Sequence, residues 1–263
     1  MRIAHIICIK WGSIYTSKDV NNLLFMCKQN IHLHTLKFHC FTDETHGLHS
    51  DIITHQLPVL NIEPKYINDK YNHKKEVGLC DDNLGMLKGE RVLFFDLDVV
   101  IIDEIDSLIS FPQNDEFVII RDWLKNSNKI GNASCYSWVV GTLGSIKTDF
   151  EDNPQKWIKA FPRATQEYLS LKVIEKFNSL KFYPEEWAVS FKRKCIPPFY
   201  LRYFQAPKLP KGAKVIAFHG QPKILDALNG TWPKNGSFLK NLYRKTLPAT
   251  WLKRFLDKDF IVN

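Results

Sequence analysis

The sequence predicts an α/β fold in which a mostly parallel sheet is flanked by helices. The first observation behind this prediction is that apolar segments of strand length alternate with segments of helical periodicity. Residues 2–9, 36–41 and 92–95 have the apolar character of strands, whereas residues 17–31 repeat apolar side chains at helical spacing. The second observation is that polar residues directly follow several of these strands, which is where parallel sheets bind ligands.

Further segments continue the alternation through one domain, residues 1–228. We expect a strand within 52–60, strands at 117–120, 138–143 and 214–218, helical segments within 66–87 and at 157–160 and 167–177, and a polar loop at 125–134. Gly220 and Pro222 then predict a sharp turn immediately after the last of these strands.

The composition is that of an ordinary globular protein, with 44% hydrophobic and 24% charged residues among 263. The apolar N-terminal segment is too short for a secretory signal, and no stretch approaches the ~20 apolar residues of a membrane-spanning helix. We therefore expect a cytoplasmic protein whose six scattered cysteines are reduced and act as small hydrophobic residues.

The net charge of +8 is concentrated in the last quarter of the chain. Residues 190–263 hold 15 Lys and Arg against three Asp, so the rest of the chain is weakly acidic. Residues 229–263 also place apolar side chains, such as Leu242 and Leu252, on one face of helical segments with a basic opposite face. This basic amphipathic tail predicts peripheral contact with an anionic membrane surface. A basic helix packed on the main domain fits the pattern equally well.

Two aspartates interrupt the most apolar segment of the chain, residues 91–103. Asp96 and Asp98 follow the run at 92–95, and apolar residues resume directly afterwards. Charged carboxylates rarely border a core unless they are paired or bind a metal, because removing them from water is unfavourable. On a continuing strand both side chains would point to the same side and would suit Mg²⁺ or Mn²⁺. A pair of solvated turn aspartates is the alternative.

Five motifs occur in order along the chain: ICIKWG near the N-terminus, then FTDE, FFDLDVV, GNAS and finally FHGQPK. Over residues 3–223 this order resembles the bacterial nucleotide-sugar glycosyltransferases of the GT-A fold, close to family 8 and to the capsule and lipopolysaccharide types. An apolar-flanked DxD with a late His-Gly-x-Pro-Lys is much more specific than a DxD alone. The resemblance implies transfer of a sugar from a UDP-sugar to a hydroxyl of a growing, lipid-linked glycan at the inner face of the cytoplasmic membrane.

The resemblance also implies a metal site and a donor-binding set. Asp96, Asp98 and His219 match the family's ligands for Mn²⁺ or Mg²⁺, and the metal neutralises charge on the leaving nucleoside diphosphate. Lys223 adds a cation to the same phosphates. The full donor-binding set comprises Lys10, Trp11, Gly12, Tyr15, Asp43, Lys74, Asp96, Leu97, Asn132, Ser134, Gly220 and Lys223.

Within this set, the first loop and Asp43 are expected to hold the nucleotide base. An aromatic ring stacks on the base, Gly12 allows close backbone approach, and Asp43 accepts a hydrogen bond from uracil. Core packing of Trp11 and Tyr15 is nearly as good an interpretation. Lys74, or the neighbouring Lys75, falls where relatives carry a lysine, although the residues around it depart from the family pattern.

The catalytic candidates, Gln166 and Glu167, come from the position of the family's acidic trio. Glu167 is the general base if the enzyme inverts the anomeric centre, and Gln166 lies where retaining enzymes place a neutral group beneath the anomeric carbon. Glu185 and Glu186 are fallback candidates.

Two other functions use the same features of the sequence. One is a haloacid-dehalogenase-type phosphatase with Asp96 as nucleophile, but its DxD motif normally opens the fold. The other is a non-enzymatic protein that binds nucleic acid through the basic C-terminal quarter. Because no nucleic-acid-binding motif supports the latter, we expect no nucleic-acid partner.

Overall fold

The computed structural model describes residues 2–66, 73–123, 129–162, 165–233 and 244–262. Its strands are β1 (Arg2–Lys10), β2 (His34–Thr42), β3 (Ile52–His55), β4 (Arg91–Phe95), β5 (Val99–Ile101), β6 (Val118–Arg121), β7 (Gly131–Val139), β8 (Lys181–Phe182), β9 (Ala188–Ser190) and β10 (Val215–Ala217). Its helices are α1 (Ser17–Asn30), α2 (His73–Glu76), α3 (Asp106–Ser110), α4 (Gly144–Asp152), α5 (Pro154–Ala160), α6 (Thr165–Phe177), α7 (Ile224–Asn229) and α8 (Lys258–Ile261).

A seven-stranded sheet in the order β3-β2-β1-β4-β7-β6-β8 forms the centre, and β5, β10 and β9 form a second, smaller sheet. The strands β3, β2, β1 and β4 run parallel, whereas β7 is antiparallel to both of its neighbours. The carboxyl ends of β1, β2 and β4 therefore meet at one edge of the sheet. The predicted α/β class with a mostly parallel central sheet is confirmed.

Alternate side chains of the central strands pack into two cores, one on each face of the sheet. Ile6, Leu93 and Phe95 lie in the first core, and Ile7 and Phe94 lie in the second. A pleated strand imposes this alternation, and burial on both faces explains why β1 and β4 are continuous apolar runs. Helix α1 and the small sheet contribute to the first core, and α4, α5 and α6 to the second.

The structure corrects several local expectations. The polar loop expected up to residue 134 is too long and the strand expected at 138–143 is misplaced, because β7 begins at Gly131 and ends at Val139. Strand β4 ends at Phe95, so Asp96 and Asp98 lie in a turn between β4 and β5 and not on a strand. The sequence does not predict α4, whose buried face has few large apolar side chains.

The described part of the C-terminal tail packs on the domain. Residues 244–262 contain a short 3-10 helix at Thr250–Arg254 and helix α8. Leu252, Leu256 and Phe260 are buried in the first core, so this apolar face is not available to a membrane and the packed alternative describes it. The helix face expected at residues 238–243 lies outside the described residues. None of the helices in the described ranges has the length and apolar character needed to span a bilayer.

Candidate functional site

Asp96 and Asp98 occupy the turn between β4 and β5, at the carboxyl edge of the sheet. Lys75 Nζ lies 2.9 Å from Asp96 Oδ2, and Lys223 Nζ lies 3.2 Å from Asp98 Oδ2. Asp98 is 8% exposed and Lys75 is 6% exposed, so these charges are poorly hydrated. The pair is therefore held at the margin of the core by lysines, unlike two solvated turn aspartates.

Each carboxylate of this turn destabilises the ionised form of the other. Burial, and then the neighbouring Asp96, raise the pKa of Asp98 to about 6, against the opposing effect of Lys223 and Lys75. Burial alone would lower the pKa of Lys75, but Asp96 and Glu76 raise it above its ordinary value, so its ammonium stays charged. A further cation would stabilise the turn, and oxygen donors of this kind suit Mn²⁺ or Mg²⁺.

His219 follows β10 beside the same turn, where Phe218 N donates to Asp98 O at 2.8 Å. Its Nε2 lies 2.7 Å from Ser190 Oγ, and its ring stacks on Trp123 with the centroids 5.4 Å apart. Burial lowers the pKa of His219 to about 4, so the imidazole is neutral, as a metal ligand must be. Among the residues that the structure describes, no three His, Cys, Asp or Glu side chains form a metal cluster. The three expected ligands are therefore neighbours that do not form a cluster among the described residues.

The first loop, residues 11–16, follows β1 and is hydrogen-bonded to the residue that follows β2. Gly12 N donates to Asp43 Oδ2 at 3.1 Å, and Gly12 has φ +60°, which glycine adopts without strain. Lys10 is buried at the end of β1, and Trp11 packs in part against the second core. The residues expected to hold the nucleotide thus lie together, with Asp43 exposed beside them.

Lys223 connects this loop to the aspartate turn. Its Nζ donates to Tyr15 Oη at 3.2 Å and to Asp98 Oδ2 at 3.2 Å. Burial and Asp98 raise the pKa of Tyr15, so its hydroxyl stays protonated. Gly220 has φ +74°, which lets the chain reverse after β10. The His-Gly-x-Pro-Lys motif is therefore a turn that brings its lysine back to Asp98.

The start of β7 brings the expected sugar-binding residues to the same place. Asp96 N donates to Ser134 O at 2.9 Å, and Ser134 N donates to Asn132 Oδ1 at 3.0 Å. Gln166, in the first turn of α6, accepts a hydrogen bond from Ala133 N at 3.3 Å. Asn132, Ser134 and Gln166 therefore adjoin the turn, although β7 is a strand where a loop was expected.

Asp122 and Lys192 belong to this neighbourhood but are not singled out by the sequence analysis. Asp122 Oδ2 accepts from Gln166 Nε2 at 2.9 Å. It follows the buried strand β6 as Asp96 follows β4, so the same sequence signal would have found it. Lys192 lies beside Gly220, where an added Cβ would be 3.4 Å from its Nζ. Its place depends on a π-helical turn at Phe191–Cys195, for which the sequence has no clear signal.

The remaining candidates lie on α2, in the first turn of α6 and in the turn after β8. Lys75, the alternative to Lys74, contacts Asp96, and successive residues of α2 point to different sides of the helix. Glu167 is half-buried next to Gln166 in the first turn of α6. Glu185 and Glu186 are exposed in the turn that follows β8.

No protein-family model and no curated protein matches this sequence. Solved structures match its fold. The chain is similar to the glycosyltransferase GlyE of Streptococcus pneumoniae TIGR4, with 12% identity and a TM-score of 0.58 over 98% of this chain and 62% of GlyE. It is similar to the bifunctional glycosyltransferase WbbM, with 11% identity and a TM-score of 0.60 over 93% of this chain and 52% of WbbM.

The galactosyltransferase LgtC, solved in complex with donor and acceptor sugar analogs, has 13% identity and a TM-score of 0.52 over 95% of this chain and 99% of LgtC. At such identities the similarities establish the fold alone. The chain spans 62% of GlyE and about half of WbbM. The expected GT-A type of α/β fold is confirmed by these glycosyltransferase structures.

Proposed function

We propose that this chain is a glycosyltransferase that moves a sugar from a nucleotide sugar, a UDP-sugar in the first instance, to a hydroxyl of an acceptor glycan. One observation carries the proposal: two aspartates with lysine partners, one buried and one half-buried, lie beside the first loop, at the carboxyl edge of a sheet whose fold is shared with glycosyltransferases. Such a charge arrangement suits a donor diphosphate bound through a divalent cation.

Asp96, Asp98 and His219 are the proposed ligands of Mn²⁺ or Mg²⁺. When bound, the metal supplies positive charge that stabilises the leaving nucleoside diphosphate. Lys223 and Lys192 add charge-assisted contacts to the same phosphates. Lys75 has a different role, since it is buried between Asp96 and Glu76 and holds the first aspartate in position.

The first loop is proposed to bind the nucleoside. The Gly12–Asp43 hydrogen bond fixes the loop backbone, and the exposed Asp43 carboxylate has further capacity to accept a hydrogen bond from the N–H of uracil. Tyr15 and Trp11 offer ring surfaces for the base. Asn132 and Ser134, with the backbone around Leu97 and Gly220, are proposed to contact the donor sugar and its phosphates.

Gln166 and Glu167 remain the proposed catalytic residues, and each fits one stereochemical outcome. Gln166 is neutral and is held at two points, by Ala133 N and by Asp122, as a group beneath the anomeric carbon of a retaining enzyme should be. Glu167 is the general base of an inverting reaction. The anomeric configuration of the product, determined by NMR, distinguishes the two.

The acceptor is proposed to be a lipid-linked capsule or lipopolysaccharide glycan at the cytoplasmic face of the membrane. The basic C-terminal quarter supports this proposal, because Lys245, Lys253, Arg254 and Lys258 are exposed and cationic segments are attracted to anionic lipids. In the described residues this attraction is mainly one of charge, since Leu252, Leu256 and Phe260 are buried.

A screen of UDP-, GDP- and CMP-sugars with Mn²⁺, Mg²⁺ or excess EDTA tests the proposal. We expect nucleotide release from a UDP-sugar that depends on added metal. Absence of turnover for every donor, or full turnover in EDTA, would contradict it. Hydrolysis of simple phosphate monoesters would instead favour a phosphatase that uses Asp96 as nucleophile.

A further inference from the structure

Residues 196–207 form a loop that we call the aromatic loop. Among the residues that the structure describes, the exposed aromatic side chains all lie in it: Phe199, Tyr200, Tyr203 and Phe204. Tyr200 is 71% exposed and Phe204 is 82% exposed. Single exposed apolar residues are common on protein surfaces, but a cluster of large rings indicates an interaction surface.

The aromatic loop is held in shape by hydrogen bonds. Lys208 N donates to Cys195 O at 3.0 Å and closes the base of the loop. Trp251 Nε1 donates to Pro207 O at 2.9 Å and ties the loop to the C-terminal segment. A 3-10 helix at Phe199–Leu201 shapes its tip. The rings are therefore presented from a preformed turn, so that docking orders few additional residues.

The surroundings of the loop are basic. Residues 191–213 contain six Lys and Arg and no Asp or Glu. The exposed members are Arg193, Lys194, Lys208 and Lys211. Lys245, from the C-terminal segment, lies with its Nζ 4.6 Å from the centroid of the Tyr203 ring. Aromatic rings with a rim of cations match the headgroup region of an anionic bilayer, where rings sit at the interface and cations meet phosphates.

We propose that the aromatic loop docks on an anionic lipid bilayer, with Tyr200 and Phe204 at headgroup level. This contact differs from the tail, where Leu252, Leu256 and Phe260 are buried. The loop directly follows the π-helical turn that places Lys192 beside Gly220, so it starts close to the candidate site. One consequence, that docking brings the site to a lipid-linked acceptor, rests on the proposed function. The docking itself does not.

Vesicle co-sedimentation of the full chain tests this proposal. Wild-type protein is expected to sediment with vesicles of mixed phosphatidylcholine and phosphatidylglycerol, and less with phosphatidylcholine alone or at high salt. The double variant Tyr200→Ser, Phe204→Ser should bind the mixed vesicles at least about tenfold more weakly. Leu33→Ser with Val59→Ser is the matched control, because both residues are 70% exposed elsewhere, and it should bind as wild type does.

Removing positive charges from the rim of the aromatic loop provides a second test of docking. Lys208→Gln and Lys211→Gln should each weaken vesicle binding by about fivefold. Equal sedimentation of the Tyr200→Ser, Phe204→Ser variant and wild type would overturn the proposal. So would weaker binding of a soluble glycan acceptor by this variant with unchanged vesicle binding, which would assign the loop to the acceptor.

The donor reaction distinguishes a failure of the docking proposal from a failure of the proposed function. Metal-dependent UDP release without vesicles should be unchanged in the Tyr200→Ser, Phe204→Ser variant. If UDP release is absent from wild type while vesicle binding still depends on the loop, docking stands and the proposed function fails. If wild type turns over the donor but does not sediment with mixed vesicles, docking fails and the proposed function stands.

Discussion

Two groups of buried polar side chains lie on the same sheet and are stabilised in opposite ways. At the carboxyl edge, the aspartates of the β4–β5 turn are paired with lysines from other segments. In the body of the sheet, His5, His39 and His55 of β1, β2 and β3 form a row that we call the histidine ladder. His5 Nδ1 lies 3.0 Å from His39 Nε2, and His39 Nδ1 lies 2.9 Å from His55 Nε2.

The histidine ladder is neutral and is completed by its own members. Burial lowers the pKa of all three imidazoles, that of His39 to about 3. A neutral ring donates through one nitrogen and accepts through the other, so both nitrogens of the central His39 are satisfied within the row. At the aspartate turn, burial instead raises the pKa of Asp98 to about 6 despite Lys223 and Lys75, so its charged form is one that a further cation can stabilise. Buried polar groups therefore indicate a ligand site where charge is left over, and a structural role where neighbours complete it.

The largest expected effect of a substitution is at Asp98. Asp98→Asn should lower metal-dependent UDP release by at least about 10³-fold, because it removes charge that the donor complex requires. The same change should raise the free energy of unfolding of the metal-free protein, since it removes a poorly hydrated carboxylate. Asp103→Asn, an exposed aspartate in the same segment, is the control and should alter neither quantity. Full activity of Asp98→Asn would contradict the assignment of the aspartate turn as a ligand site and of the histidine ladder as structural.

Lys75→Met should destabilise the protein by about 3–5 kcal/mol, because it leaves Asp96 and Glu76 buried without their cation. Urea denaturation measures this change. Adding Asp96→Asn should restore part of the loss, since the two residues interact directly. Lys74→Met should destabilise the protein less, because Lys74 is half-buried whereas Lys75 is buried. Equal effects of the two lysine substitutions would contradict the assignment of Lys75 to Asp96.

The two groups should give opposite pH dependences of stability. The folded pKa of His39 lies below its ordinary 6.5, so the unfolded chain binds the extra proton and stability falls as pH decreases from 6.5 towards 3. The slope is about 1.4 kcal/mol per pH unit for each such histidine. Glu90 and Lys37 modify the His5 end of the ladder in opposite directions.

For Asp98 the folded pKa lies above its ordinary 3.8, so its contribution to stability falls as pH rises from 3.8 towards 6. Urea denaturation across this range should show a shallower pH dependence for His39→Gln and a steeper one for Asp98→Asn. Identical curves for wild type and both variants would show that neither group is perturbed as described.

The smallest predicted effect is at Lys192. Lys192→Met should raise KM for the donor about tenfold with a smaller change in kcat, because it removes a phosphate contact made in both the ground state and the transition state. Lys194→Met, an exposed lysine of the same π-helical turn, should stay within about twofold of wild type. A loss in kcat alone would mean that Lys192 acts only in the transition state.

Local patterns were sufficient to predict much of the fold. Strands β1 and β4 are mostly apolar runs buried on both faces, β2 is buried on both faces in its second half, and α1 has an apolar stripe at helical spacing, so each can be recognised from its own residues. The small sheet cannot, because β10 pairs with β5 and β9, which are distant in sequence. The packing of the tail could not be predicted for the same reason, because burial of Leu252 and Leu256 depends on the first core. The sequence pattern of the tail fitted contact with a membrane equally well.

The candidate site also contains residues that local sequence predicts and residues that depend on tertiary contacts. Asp96, Asp98 and Lys223 could be identified because strand ends and turn-forming residues mark them in the sequence. The choice between Lys74 and Lys75 depends on how the single turn of α2 is rotated towards Asp96, which neighbouring residues do not determine. Lys192 reaches the site only through the tertiary contact of its turn with Gly220.

Calorimetric titration of UDP tests the central claim, that the aspartate turn binds a donor diphosphate with a divalent cation. Wild-type protein should bind UDP in Mn²⁺ at least about tenfold more tightly than in excess EDTA, and Asp98→Asn should bind it equally weakly in both. Equal affinity of wild type with and without metal, or a metal-dependent affinity that survives in folded Asp98→Asn, would contradict the claim.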